Sequence, residues 1–180
     1  NLGIMLQELD RLEEAEASYN QAIVLKPKFT EAHNNLGNTL NELGRLVGAE
    51  ESFRQALALK ADYAEAHNNL GNTLRQLNRL NEAEVSCRQA ISLNSDYAAA
   101  YNNLGITLNE MGKLEEAKES CERAILLDPG YVEAHNSLGV TLKDLGRLEE
   151  SATCYRQAIL LHPEFAEAIL NLALLLDYMN

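Results

Sequence analysis

Side chains able to do chemistry recur in this chain at one fixed interval. Carboxamides stand at Asn1, Asn35, Asn69, Asn103 and Asn171, with Ser137 filling the remaining place in the row. A second row lies one residue earlier, at Asn34, Asn68, Asn102 and Asn136. A third, Asn38 and Asn72, gives way to Ile106 and Val140. A carboxamide carries both donors and an acceptor, so it can pair with both groups of a peptide backbone without reading side chains. Rows of them at constant pitch suit an extended chain. On a helix Asn34 and Asn38 are four apart and share a face, and these two rows are expected to be exposed. Asn35 lies about 100° around the helix from Asn34, at the edge nearer the next helix. There it either meets a ligand or bridges to that helix.

Other chemistries are poorly served. His33, His67 and His135 are separated by whole repeats. Packed helices lie about 8–10 Å apart, whereas zinc ligands sit at about 2.0–2.1 Å, so no metal site is expected. Cys87 and Cys121 occupy equivalent places where Tyr19, Phe53 and Tyr155 stand elsewhere. That is a core position, and buried Cys acts as a small hydrophobe. Cys154 is one residue off that stripe. The pairs Glu13-Glu14, Glu50-Glu51, Glu115-Glu116 and Glu149-Glu150 fall at helix starts, where carboxylates favour the positive helix end. Neither a phosphate loop nor a G-x-S-x-G or H-E-x-x-H pattern is present. The chain is read as non-catalytic, with no cofactor.

The interval that sets these rows is 34 residues, seen in Leu2-Gly3, Leu36-Gly37, Leu70-Gly71, Leu104-Gly105 and Leu138-Gly139. Leu172-Ala173 continues it. Complete repeats run 30–63, 64–97, 98–131 and 132–165, with a partial repeat at 1–29 and a first helix at 166–180. The first two complete repeats share about 22 identical positions, which marks them as one duplicated unit. Within 64–97, Ala66, Leu70, Leu74 and Leu77 form one helical stripe, and Leu80, Ala83, Cys87, Ala90, Ile91 and Leu93 form a second. Between the stripes stands Gly44, Gly112 or Gly146, or else Asp10 or Asn78. These are the residue types that tolerate the left-handed conformation ending a helix. Pro27, Pro129 and Pro163 stop the second helices. Phe29, Tyr63, Tyr97, Tyr131 and Phe165 close each joint as packing anchors. A Gly inside a helix costs about 1 kcal/mol relative to Ala, so each Leu-Gly pair predicts a close helix approach.

A 34-residue helix–turn–helix unit with Leu-Gly in the first helix, paired Ala in the second and Pro at the joint resembles the tetratricopeptide repeat (TPR). The stretch "LKPKFTEAHNNLGNTLNELGRLVGAEESFRQAL" is similar to the arrays that precede the catalytic domain of O-linked N-acetylglucosamine transferases, and to bacterial TPR scaffold proteins. The resemblance implies an all-α, right-handed superhelical solenoid of antiparallel helix pairs, forming a single array over 1–180. It implies peptide binding in a concave groove lined by first helices. In the glycosyltransferase arrays a ladder matching Asn35, Asn69, Asn103 and Asn171 contacts peptide. The implied function is a protein–protein interaction scaffold. The alternatives are a substrate-recognition arm of a larger glycosyltransferase, or a self-assembling array of natural or engineered origin. Some TPR domains clamp a chaperone's C-terminal carboxylate with clustered Lys and Arg; Asn or Glu holds those places here.

Composition narrows the partner. The chain carries 27 acidic against 15 basic residues, a net charge of −12. Phosphate backbones and anionic membranes both require basic surfaces, so neither nucleic acid nor membrane is expected. The expected groove is mildly acidic: Glu31, Glu65, Glu133 and Glu167 precede the Asn rows, and Arg75 and Lys143 are its isolated cations. A basic or neutral polar peptide fits it. Three cysteines point to a reducing, cytoplasmic setting. The chain opens on Asn1 and reads as a piece of a longer protein. Leu170, Leu172, Leu174, Leu175 and Leu176 lack a covering second helix, which predicts end-to-end self-association.

Overall fold

The computed structural model describes residues 2–179, apart from the side chain of Glu8. Among the described residues there are eleven helices and no strand. First helices are α1 (Leu2–Glu8), α3 (Thr30–Glu42), α5 (Ala64–Gln76), α7 (Ala98–Glu110), α9 (Val132–Asp144) and α11 (Ala166–Met179). Second helices are α2 (Leu12–Leu25), α4 (Leu46–Leu59), α6 (Leu80–Leu93), α8 (Leu114–Leu127) and α10 (Leu148–Leu161). The chain groups into two compact units, Asn1–Asn94 and Ser95–Asn180. Within each, a first helix packs on its own second helix, and that second helix on the next first helix. Asn1 lies outside the described residues.

The hairpin turns follow the sequence closely. Asp10, Gly44, Asn78, Gly112 and Gly146 all have positive φ, between 55° and 76°. At each, two backbone bonds close the first helix: Gly44 N–H donates to Asn41 O and Arg45 N–H to Leu40 O, at 2.9 and 2.8 Å. This pairing satisfies carbonyls that the helix end would leave open. The joint aromatics are half-buried and precede each first helix. In unit 1 the ammonium of Lys26 lies over Phe29 and that of Lys60 over Tyr63, at 4.8 and 5.0 Å from the ring centroids.

The interior glycines are explained by what they face. A Cβ on Gly37 would lie 2.6 Å from the Phe53 ring, and one on Gly139 would lie 2.5 Å from Tyr155. At Gly71 and Gly105 it would meet the sulfurs of Cys87 and Cys121 at 2.6 and 2.5 Å. The close approach expected from the Leu-Gly pairs is therefore present. Its main agent is the aromatic or Cys one turn beyond the paired Ala. Ala49, Ala83 and Ala117 are fully buried beside it. Ser151, in the same place, donates to Gly139 O at 2.6 Å.

Candidate functional site

The first helices decide where each polar row points. Leu and Gly of the Leu-Gly pair face the second helix, which turns the preceding Asn toward the neighbouring first helix. The expected exposure of the Asn34 row is corrected here: Asn34, Asn68, Asn102 and Asn136 are 0–7% exposed. The physical reason is a carboxamide clasp. Asn34 Nδ2 donates to Glu65 Oε1 at 3.0 Å, and Asn69 Nδ2 donates to Asn34 Oδ1 at 3.4 Å and to Asn38 Oδ1 at 2.9 Å. The same clasp recurs in unit 2, where Asn136 donates to Glu167 at 3.4 Å and Asn171 to Asn136 at 3.0 Å. A buried amide is tolerated only when bonded, and here the next repeat supplies the bonds.

The other two rows are half-buried. Asn35, Asn69, Asn103 and Asn171 stay partly open to solvent, as do Asn38 and Asn72. Asn35 accepts from Asn34 at 3.5 Å, and Asn72 accepts from Arg75 at 3.0 Å. Bridging to a neighbouring first helix is thus realised at Asn69 and Asn171. Glu31, Glu65, Glu133 and Glu167 are exposed. Lys143 is exposed too, with its ammonium 3.8 Å from Asp144.

One clasp is incomplete. Between α7 and α9 in unit 2, Ser137 stands where Asn69 and Asn171 donate. Asn102 Oδ1 is buried without a hydrogen-bond partner. Burial also pushes up the pKa of Tyr131, the aromatic that precedes α9. No sequence signal beyond the Asn-to-Ser exchange marks this place.

Threonine forms a further polar row, and it is buried. Thr39, Thr73, Thr107 and Thr141 are at most 1% exposed. Each hydroxyl donates to the carbonyl four residues back, at 2.7–3.0 Å. Thr73 and Thr141 also accept from Asn41 and Asn109 of the preceding repeat, at 2.9 and 3.5 Å.

The histidines are structural ties. His33, His67 and His135 each place Nε2 at 3.0–3.1 Å from a joint carbonyl, of Pro27, Ala61 and Pro129. Among the described residues no cluster of His, Cys, Asp and Glu could hold a metal. Burial pushes the Cys121 thiol up to about 12 and the Cys154 thiol to about 11. Both therefore stay protonated, and a thiol is a poor nucleophile. No helix among the described residues is long and apolar enough to cross a membrane.

On the outer side, Arg11, Arg79 and Arg147 each grip the Glu three residues on, at 2.6 Å. In unit 1 three further ties link successive helix pairs: Arg45 to Glu16 at 2.5 Å, Arg79 to Glu50 at 2.6 Å and Arg54 to Glu82 at 3.4 Å. Partial desolvation pushes the Glu50 pKa up, but hydrogen bonds from Arg79 and Arg54 outweigh it and hold the carboxyl below its usual range.

Helix pairs at a 34-residue pitch, closed by left-handed turns and by the approach of an aromatic or Cys to the Gly of each Leu-Gly pair, define a helical repeat protein. Family profiles described as tetratricopeptide repeat match residues 64–97, 98–131 and 132–165, and one described as TPR repeat matches 5–44 and 37–76. The chain belongs to the tetratricopeptide repeat family. Among solved structures it is similar to MamA at 26% identity, covering 93% of this chain and 98% of that one, with a TM-score of 0.76. YrrB, described as a TPR protein with an unusual peptide-binding site, is 25% identical over 94% of this chain and 87% of its own, with a TM-score of 0.70. A thermophilic TPR protein from Thermus thermophilus, TTC0263, shares the fold at 24% identity, 97% and 95% coverage and a TM-score of 0.84. Comparison with curated proteins gave no match.

Proposed function

We propose that this chain is a non-catalytic interaction scaffold that binds an extended peptide along the concave face made by its first helices. The observation that carries the reading is the polar strip left over after packing. Ala, Leu, Gly and Thr supply the core, while Asn35, Asn69, Asn103 and Asn171 stay half-open beside exposed Glu31, Glu65, Glu133 and Glu167. YrrB's peptide-binding site lends support by likeness. The acidic strip and the net charge of −12 favour a basic or neutral polar peptide. The test is the combined replacement Asn35→Ala, Asn69→Ala and Asn103→Ala, read by peptide-array binding and circular dichroism. Peptide binding should weaken while helicity holds. Unchanged binding with intact helices would refute the role of these amides.

Self-association is a second reading, favoured by α11. Leu170, Leu174 and Tyr178 are exposed, and Leu148, Leu174, Leu175 and Tyr178 line an open cavity of about 540 Å³. Apolar surface of this kind gains by being covered. Light scattering should show mass rising with concentration, and a concentration-independent monomer refutes it.

A further inference from the structure

Four features come together at the incomplete clasp between α7 and α9, the first three of them absent from both closed clasps. Asn102 Oδ1 is buried and unpartnered. Ser137 offers a short hydroxyl where a carboxamide would have filled the space. Glu133 is exposed and lacks the amide bond that Glu65 and Glu167 accept. Ile106, four residues beyond Asn102 on the same helix face, replaces the polar Asn38 of unit 1 with a half-buried aliphatic surface.

From these four features we propose that the α7–α9 joint is a lysine-binding notch for a bound peptide. Three acceptors hold the places that meet in the closed clasps: the Asn102 carbonyl, the Ser137 hydroxyl and the Glu133 carboxylate. An ammonium has three donors and no acceptor, so it matches a set of acceptors that a neutral amide matches only in part. Its four-carbon stem covers apolar surface while the charge stays at a polar end, and Ile106 provides that surface. An unbonded buried acceptor is costly to leave unmade, and a charge-assisted bond restores it. In the closed clasps, Asn69 and Asn171 already occupy the acceptor, so lysine gains nothing there.

The proposal rests on the peptide-binding reading and is tested separately from it. The probe is an acetylated, amidated decapeptide of alanine and serine with one central lysine, beside its norleucine counterpart. Binding is followed by NMR on the side-chain amides of the whole chain. The lysine peptide should bind about tenfold more tightly, the expected return of one charge-assisted bond, and should shift the Asn102 amide. Ser137→Asn should erase the preference and raise the melting temperature by closing the clasp. Equal binding of both peptides overturns the lysine notch but leaves peptide binding standing. Failure of both peptides to bind at millimolar concentration overturns both readings. An unchanged or lower melting temperature in Ser137→Asn means the acceptor is already satisfied, and also overturns the notch.

Discussion

The joint between α3 and α5 in unit 1 and the joint between α7 and α9 in unit 2 are built from the same repeat, yet they solve burial differently. In unit 1, Asn34 reaches Glu65 and accepts from Asn69, so its buried amide is satisfied. In unit 2, Asn102 keeps an orphan oxygen because Ser137 is too short to reach it. The buried tyrosines repeat the contrast. Tyr19 donates to Gln7 at 2.6 Å in unit 1. At the equivalent place in unit 2 stands Lys143, which offers no acceptor, and the Tyr155 hydroxyl is buried without a partner. The outer ties differ too: Glu50 receives Arg79 in unit 1, while unit 2 has Lys118 in that position. At these three places unit 1 is the better satisfied of the two. Apolar packing holds the frame in both units, and single exchanges at the joints decide which buried polar atoms are satisfied.

The largest expected effect separates the two Asn positions. Asn34→Ala should cost about 2 kcal/mol, since it removes the bonds to Glu65 and Asn69 and opens space. Asn102→Ala should cost about 1 kcal/mol or less, because its buried oxygen already lacks a partner. Urea unfolding followed by circular dichroism compares them, and equal losses would break the contrast. Next, Lys143→Gln restores an acceptor for Tyr155 and should stabilise by about 1 kcal/mol. A destabilised variant in the same assay would show that Tyr155 needs no partner.

Acid should act on unit 1 through Glu50. Its folded pKa is lowered, so its contribution is fully present above the ordinary carboxylate value of about 4.3 and is lost as pH falls through the lower folded value. The pair is partly exposed, so the loss is on the order of 0.5–1 kcal/mol. Glu50→Gln should flatten that part of the stability–pH curve, and an unaltered curve counts against the tie. The smallest effect lies in the turns. Asn78 takes φ 58° where Gly112 and Gly146 take 75° and 76°. Asn78→Gly should therefore raise stability by about 0.5 kcal/mol at most, since Asn is itself tolerant there. A loss on thermal melting would contradict this.

Much of this was legible in the residues. The 34-residue pitch fixed the helix pairs, and Gly44, Gly112, Gly146, Asp10 and Asn78 marked every left-handed turn, because only a few residue types accept that backbone. The Cys87 and Cys121 core positions were legible from the Tyr and Phe that replace them. The Asn34 row was misread as exposed. Periodicity gives the angle of a side chain around its own helix, but not which neighbour stands there.

The sequence by itself therefore determined the repeat, its turns and its apolar stripes, since these depend on local backbone preference and helical spacing. Only the tertiary structure decided the fate of the asparagines. Whether a carboxamide spends its bonds on the next repeat or keeps an acceptor open depends on residues 31 and 35 positions away, brought alongside by packing. A single exchange at Ser137 changes the answer at Asn102, because a hydroxyl on one carbon cannot span the gap an amide fills.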